Sequence, residues 1–147
     1  MGVRFCNDNT AAVIASTIEP DSTIIAHSNG AALVHEAAEL GARFSHVILI
    51  NPALDKHLEI ENAKRTTVYY APSDPWTKLA AFIPFSNWGN MGAKGYRPRS
   101  GICPRNTVNI NLDRLTGLEC GHSGVFATPL TRGALVKSIT HQMERET

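Results

Sequence analysis

Long apolar runs are missing from this sequence. None approaches the roughly 18 residues that a bilayer span requires, and Met1-Gly2-Val3-Arg4-Phe5-Cys6 lacks the apolar stretch of a signal peptide. A soluble protein is expected. Cysteine is scarce and scattered: Cys6, Cys103 and Cys120 form no C-x-x-C pair, which argues against a disulfide framework or a paired-thiolate zinc site and favours a reducing, cytoplasmic setting. Neither sign of charge dominates, with 14 Lys+Arg against 13 Asp+Glu, so the chain is neither an acidic disordered segment nor a strongly basic nucleic-acid binder. There is no glycine-rich nucleotide loop and no internal repeat. What is present is 147 residues with 43% hydrophobic content, the size of one domain that buries about two-thirds of its unfolded surface. Residues 1–147 are read as a single domain.

Hydrophobic spacing then supplies alternating elements. Thr10 to Ile18 carries Ala11, Ala12, Val13, Ile14 and Ala15, which predicts a helix closed by Glu19-Pro20-Asp21. Ser22 to His27 reads as a short strand. From Gly30, the residues Ala31, Ala32, Leu33, Val34, Ala37, Ala38 and Leu40 recur at near-helical spacing until Gly41. His46-Val47-Ile48-Leu49-Ile50-Asn51, stopped by Pro52, is a continuous apolar run of the kind found in a parallel strand covered on both faces. Thr66 to Ala71, stopped by Pro72, is another. Between Pro84 and Asn106 no period survives, so a long loop insertion at about 84–106 is expected. Val108-Asn109-Ile110-Asn111-Leu112 alternates as a strand near the sheet edge does. Thr128-Pro129 opens a last helix with Leu130, Ala134, Leu135, Ile139 and Met143 inward and Lys137, Glu144 and Arg145 outward. This order predicts a three-layer α/β/α fold around a mostly parallel sheet, with ligands at the carboxyl ends of the strands.

The segment Ala26-His27-Ser28-Asn29-Gly30 sits between a strand and a helix. A serine in such a turn has its hydroxyl raised over the sheet, and the small residues around it let strand and helix pack closely. Ala26 stands where G-x-S-x-G has its first glycine. The Asn29 N–H, at the start of the next helix, is placed to meet the negative oxygen that develops on an attacked carbonyl. The hydroxyl requires a base and the base an orienting carboxylate. Asp74 in Ala71-Pro72-Ser73-Asp74-Pro75-Trp76 and His122 in Cys120-Gly121-His122-Ser123-Gly124 follow in that order. From about Thr10 to Glu144 the chain therefore resembles the α/β-hydrolase family: elbow at Ser28, a strand ending Asn51-Pro52-Ala53-Leu54, a strand ending before Asp74, and Gly121-His122 ahead of the last helix. The resemblance implies esterase, lipase or thioesterase chemistry through an acyl-serine, with Ser28, His122 and Asp74 as nucleophile, base and acid, Asn29 at the oxyanion, and no metal or organic cofactor.

Against the family pattern the chain is shortened before the elbow, where 27 residues hold one helix. The family's second oxyanion N–H then has no evident source, unless Met1 to Cys6 is a relic strand that supplies it, and the elbow strand is left with an open edge. Such an edge invites pairing, so a homodimer, or another subunit covering it, is expected. The insertion is expected to cap the pocket with Phe85, Trp88, Met91 and Tyr96; Trp76, Trp88 and Tyr96 are the expected substrate contacts. Rival assignments remain. Asp55 is a competing acid, and Asp74 is also a natural helix cap, a role expected to sit poorly with orienting a histidine. His27 is expected to pack under the elbow, and His35, His46, His57 and His141 are read as surface or helix-face residues. Cys103, Cys120 and His122 match no standard zinc spacing. Lys94, Arg97, Arg99 and Arg105 with Trp88 and Tyr96 resemble a stacking and phosphate-contacting surface, but solvated loop charges are the commoner reading, nucleic acid is not expected, and an anionic substrate group is an alternative use for the arginines. The rival from another class is a non-catalytic α/β-hydrolase-like binding or structural module.

Overall fold

The computed structural model describes residues 8–80 and 88–144; Cys6, Phe85 and Arg145, with the expected strand at Met1 to Cys6, lie outside them. The elements run α1 (Asp8–Thr17), β1 (Ser22–His27), α2 (Gly30–Glu39), β2 (Phe44–Ile50), β3 (Ala63–Tyr70), α3 (Pro75–Ala80), α4 (Met91–Lys94), β4 (Thr107–Asn111), α5 (Leu112–Thr116), a 3-10 turn at Gly124–Phe126 and α6 (Pro129–Glu144). The four strands form one sheet in the order β1-β2-β3-β4, and every neighbouring pair is parallel. The protein is thus of the α/β class. No helix among the described residues is long and apolar enough to cross a membrane.

Alternation along the strands explains the layering. Phe44, Val47, Leu49 and Val68 face one side, where Ala31, Val34, Ala37 and Ala38 of α2 close over them, with Ile14, Ala15 and Ile18 packed alongside. Ile48, Ile50, Tyr69 and Ala71 face the other side and meet Leu112, Cys120, Val125 and Leu135. Only an unbroken apolar run satisfies both faces, which is why β2 reads as it does. His46 is an exception: it is fully buried in β2, not on the surface, and its Nε2 lies 2.8 Å from Thr67 Oγ1, a partner that makes a buried imidazole tolerable.

The 84–106 insertion is not a pocket cap at Met91 and Tyr96. Met91 is 1% exposed and Tyr96 5%, both in the core on the α2 side of the sheet. Three glycines allow this segment to lie on the sheet. An added Cβ would stand 2.5 Å from Asp55 Cα at Gly89, 2.8 Å from the Asn51 carbonyl carbon at Gly92 and 2.9 Å from Asn109 Oδ1 at Gly95. Its backbone is stitched down by Met91 N–H to Leu54 O, Gly92 N–H to Pro52 O and Ala71 N–H to Gly92 O. The Asn109 side chain continues the pattern, accepting from Tyr96 N–H at 2.8 Å and donating to Tyr96 O at 3.0 Å. The segment does the covering that a crossover helix does elsewhere.

Two boundaries differ from the sequence pattern. Leu112 does not extend β4; it opens α5, because the Asn111 side chain accepts from Arg114 N–H and caps the turn. In α6, Leu130 and Met143 are exposed while Thr131 and Gln142 are buried. Thr131 is drawn in by Thr128 and the Gly124 carbonyl. Gln142 accepts from the Arg65 guanidinium through its backbone and side-chain oxygens, which rotates the helix away from the purely apolar stripe.

Candidate active site

The segments that carry Ser28, Asn51, Asp74 and His122 converge at the carboxyl edge of the sheet, where parallel strands leave their last carbonyls and the loops diverge. Ser28 directly follows β1 with φ 54°, a left-handed conformation that costs a non-glycine residue energy. That turn is fixed by Ser28 N–H to Ile50 O at 3.1 Å and by Ser28 O accepting from Ala31 N–H and Ala53 N–H. Ala26 and Gly30 explain the absent first glycine. A Cβ added at Gly30 would meet Ala26 Cβ at 3.5 Å, ordinary contact, so alanine fits where strand and helix approach.

His122 lies between two partners. Its Nε2 is 2.8 Å from Ser28 Oγ and its Nδ1 is 2.8 Å from Asp74 Oδ2. A carboxylate only accepts, so Nδ1 carries the proton and Nε2 is left to accept from the serine hydroxyl. Asp74 is 0% exposed. Its second oxygen, Oδ1, accepts from Trp76 N–H at 2.9 Å and Thr77 N–H at 3.2 Å. Capping and histidine orientation therefore coexist, one oxygen for each, where the sequence pattern set them in competition. The carboxylate's charge is held by two backbone donors as well as by the imidazole, which is what burial of an ionised group demands.

The loop that carries His122 is tied from both flanks. On the Asp74 side, Ser73 Oγ donates to Asp113 Oδ1 at 2.8 Å and accepts from Gly121 N–H at 2.8 Å, while Cys120 N–H donates to the same Asp113 oxygen. On the Ser28 side, Asn51 Nδ2 donates to Gly121 O and His122 O, and His27 Nε2–H donates to His122 O at 3.1 Å. None of Asn51, Ser73 or Asp113 stands out in the sequence. Asn51-Pro52 at a strand end and Asp113 beside a helix start are common punctuation, and only the fold gives them a shared target. His27 does pack beside the elbow, edge-on to Phe126 with centroids 5.1 Å apart.

The Asn29 N–H stands at the start of α2, where backbone donors point outward, and takes no partner among the described residues. Asp55 does not reach His122; its carboxylate accepts from His57 N–H at 2.8 Å and closes a local turn. Trp76 is 66% and Trp88 37% exposed. Trp76 follows the Asp74 cap in α3, and Trp88 precedes Gly89, which lies against Asp55. Tyr96 is not brought to Ser28. It lines a small cavity on the α2 side of the sheet with Leu49, Thr66, Val68 and Met91, and its hydroxyl donates to Glu59 Oε2. Cys103 bonds Thr107 O at the start of β4, whereas Cys120 touches Leu112 beyond its end, so the two thiols stand at opposite ends of the strand. Among the described residues no cluster of three or more His, Cys, Asp or Glu side chains forms a metal site. The chain matches no family model, and no curated protein and no solved structure matches it significantly.

Proposed function

We propose that this chain is a serine hydrolase that cleaves an ester or thioester through an acyl-serine intermediate. One observation carries the proposal: an unbroken relay from Ser28 Oγ through His122 to a buried Asp74, with both contacts at 2.8 Å. A merely structural serine gains nothing from a left-handed turn, a histidine acceptor and a buried carboxylate in series.

The steps follow from the atoms. Ser28 Oγ bonds to the substrate carbonyl carbon as its proton passes to His122 Nε2, and the carbonyl oxygen becomes an oxyanion facing the Asn29 N–H. Asp74 keeps the proton on Nδ1 and stabilises the imidazolium. Collapse breaks the bond to the leaving oxygen or sulfur, which takes the proton from Nε2 and departs as alcohol or thiol. Water, deprotonated by the same Nε2, then attacks the acyl-serine, releases the acid and restores Ser28. Exposed Trp76 and Trp88 are the proposed substrate contacts, and no metal or organic cofactor enters these steps.

On this proposal the four strands are a shortened α/β-hydrolase sheet and the setting is cytoplasmic. Ser22 to His27 has a neighbour on one side only among the described residues, and Ile25 is exposed. A second copy or another subunit pairing there is part of the proposal.

The test is pre-steady-state hydrolysis of short p-nitrophenyl esters and an acyl thioester. Acyl-serine formation predicts a burst of chromophore stoichiometric with protein, absent in Ser28→Ala. A folded wild type with neither burst nor turnover would overturn the proposal and leave the binding or structural module.

A further inference from the structure

We infer that Asn51 is the positioning residue of this site, the group that sets the backbone of His122 so that one imidazole ring meets Ser28 and Asp74 together. The functional consequence rests on the hydrolase proposal; the geometry does not. An imidazole has two side-chain torsions, and here it must satisfy two contacts of 2.8 Å on opposite ring nitrogens. That is possible only if its own main chain is fixed, because a displacement of about 1 Å at the reacting groups costs on the order of a hundredfold in rate.

Beside the bonds from His27, Ser73 and Asp113 to the same loop, the residue after β2 holds two of its carbonyls at once. Asn51 is 0% exposed. It spends both amide protons on consecutive carbonyls of the histidine loop, Gly121 O at 2.8 Å and His122 O at 2.7 Å. To do so it adopts φ 42°, a left-handed conformation that asparagine tolerates better than most residues. Its own buried Oδ1 has no hydrogen-bond partner among the described residues. Both features are unfavourable for folding, and such outliers collect where a site needs them. Gly92 sets the other side of Asn51. It has no side chain because a Cβ would stand 2.8 Å from the Asn51 carbonyl carbon and 2.6 Å from Thr77 Cγ2, and its N–H donates to Pro52 O at 2.8 Å. The glycine-rich segment is thus the seat on which Asn51 rests, and Thr77 ties the same contact to the Asp74 cap. The groups that face the His122 ring are Ser28, Asp74 and His27, the last with ring centroids 5.0 Å apart.

The test compares wild type with Asn51→Gly, which accepts the left-handed backbone and loses only the amide, and with Asn51→Asp, which keeps the shape but turns an acceptor toward two carbonyls. Two readouts are taken on folded protein: the rate constant for labelling by a fluorophosphonate probe, and the His122 Nδ1 proton resonance, shifted downfield in wild type by its bond to Asp74. The inference predicts labelling roughly 10- to 100-fold slower in both variants, with the Nδ1 resonance broadened or lost. A folded Asn51→Gly that labels within about twofold of wild type and keeps the His122 resonance would overturn it. If neither variant folds, the wild-type Asn51 side-chain amide decides: both protons protected from exchange support the inference, and rapid exchange of both refutes it. A wild type that takes no label, but whose His122 resonance is lost in Asn51→Gly, refutes the hydrolase proposal and sustains the positioning role.

Discussion

Two residues show most directly how local cost and chemistry trade against each other. Ser28 has φ 54°, and a left-handed conformation costs an L-residue roughly 1–2 kcal/mol that glycine does not incur. Ser28→Gly and Ser28→Ala both remove the hydroxyl, so they differ mainly in backbone strain. Thermal unfolding is expected to place Ser28→Gly about 3 °C above Ser28→Ala, which corresponds to about 1 kcal/mol at this chain length. Neither will hydrolyse esters. Asp74 gives the complementary case. In Asp74→Asn the amide oxygen can still accept from Trp76 and Thr77, so the cap and the melting temperature are largely kept. The group facing His122 Nδ1 no longer demands a proton there, and kcat is expected to fall by about four decades through the wrong tautomer. A kcat loss within about tenfold would show that the carboxylate orients nothing.

At the level of elements, what the sequence revealed depended on length and period. The run His46 to Ile50 is unambiguous because no amphipathic pattern is compatible with it, and the structure buries β2 on both faces. Helices α4 and α5, of four and five residues, are shorter than any window in which helical spacing can be counted. Gly89, Gly92 and Gly95 recur every third residue, yet what they accommodate is the backbone of Asp55 and Asn51 and the side chain of Asn109, contacts invisible without the fold. Tyr96, expected at the pocket, lies in the core for the same reason, since an aromatic among glycines carries no mark of the face it seeks. Its burial has a measurable consequence. Desolvation, with Glu59 adding to it, pushes the phenol up to about 12. A raised acid is neutral in the folded chain while the unfolded chain already ionises, so its contribution is intact below pH 10 and is lost as pH rises through 12. Denaturant titrations across that window should show stability falling with pH, and Tyr96→Phe should flatten the fall. An unchanged slope in Tyr96→Phe would mean that Tyr96 ionises as freely folded as unfolded.

For the molecule as a whole, parallel strands bring distant segments to one edge, and that is why the meeting of Ser28, Asp74 and His122 could be expected from their order along the chain. Ser28, Asp74 and His122 each follow the end of a strand or its short continuation, a position that sequence pattern marks well. Their supports were not legible. Asn51, Ser73 and Asp113 act through bonds from side chain to backbone whose partners lie 70, 48 and 7 residues away, and such pairings depend on register rather than on composition. The central claim is that Ser28 is activated by this convergence. The most direct measurement is intact-mass labelling with a fluorophosphonate probe, followed by mapping of the adduct. A single adduct on Ser28, lost in Ser28→Ala and strongly slowed in Asp74→Asn, is the predicted result. A folded wild-type protein that remains unmodified, or carries the adduct elsewhere, would contradict it.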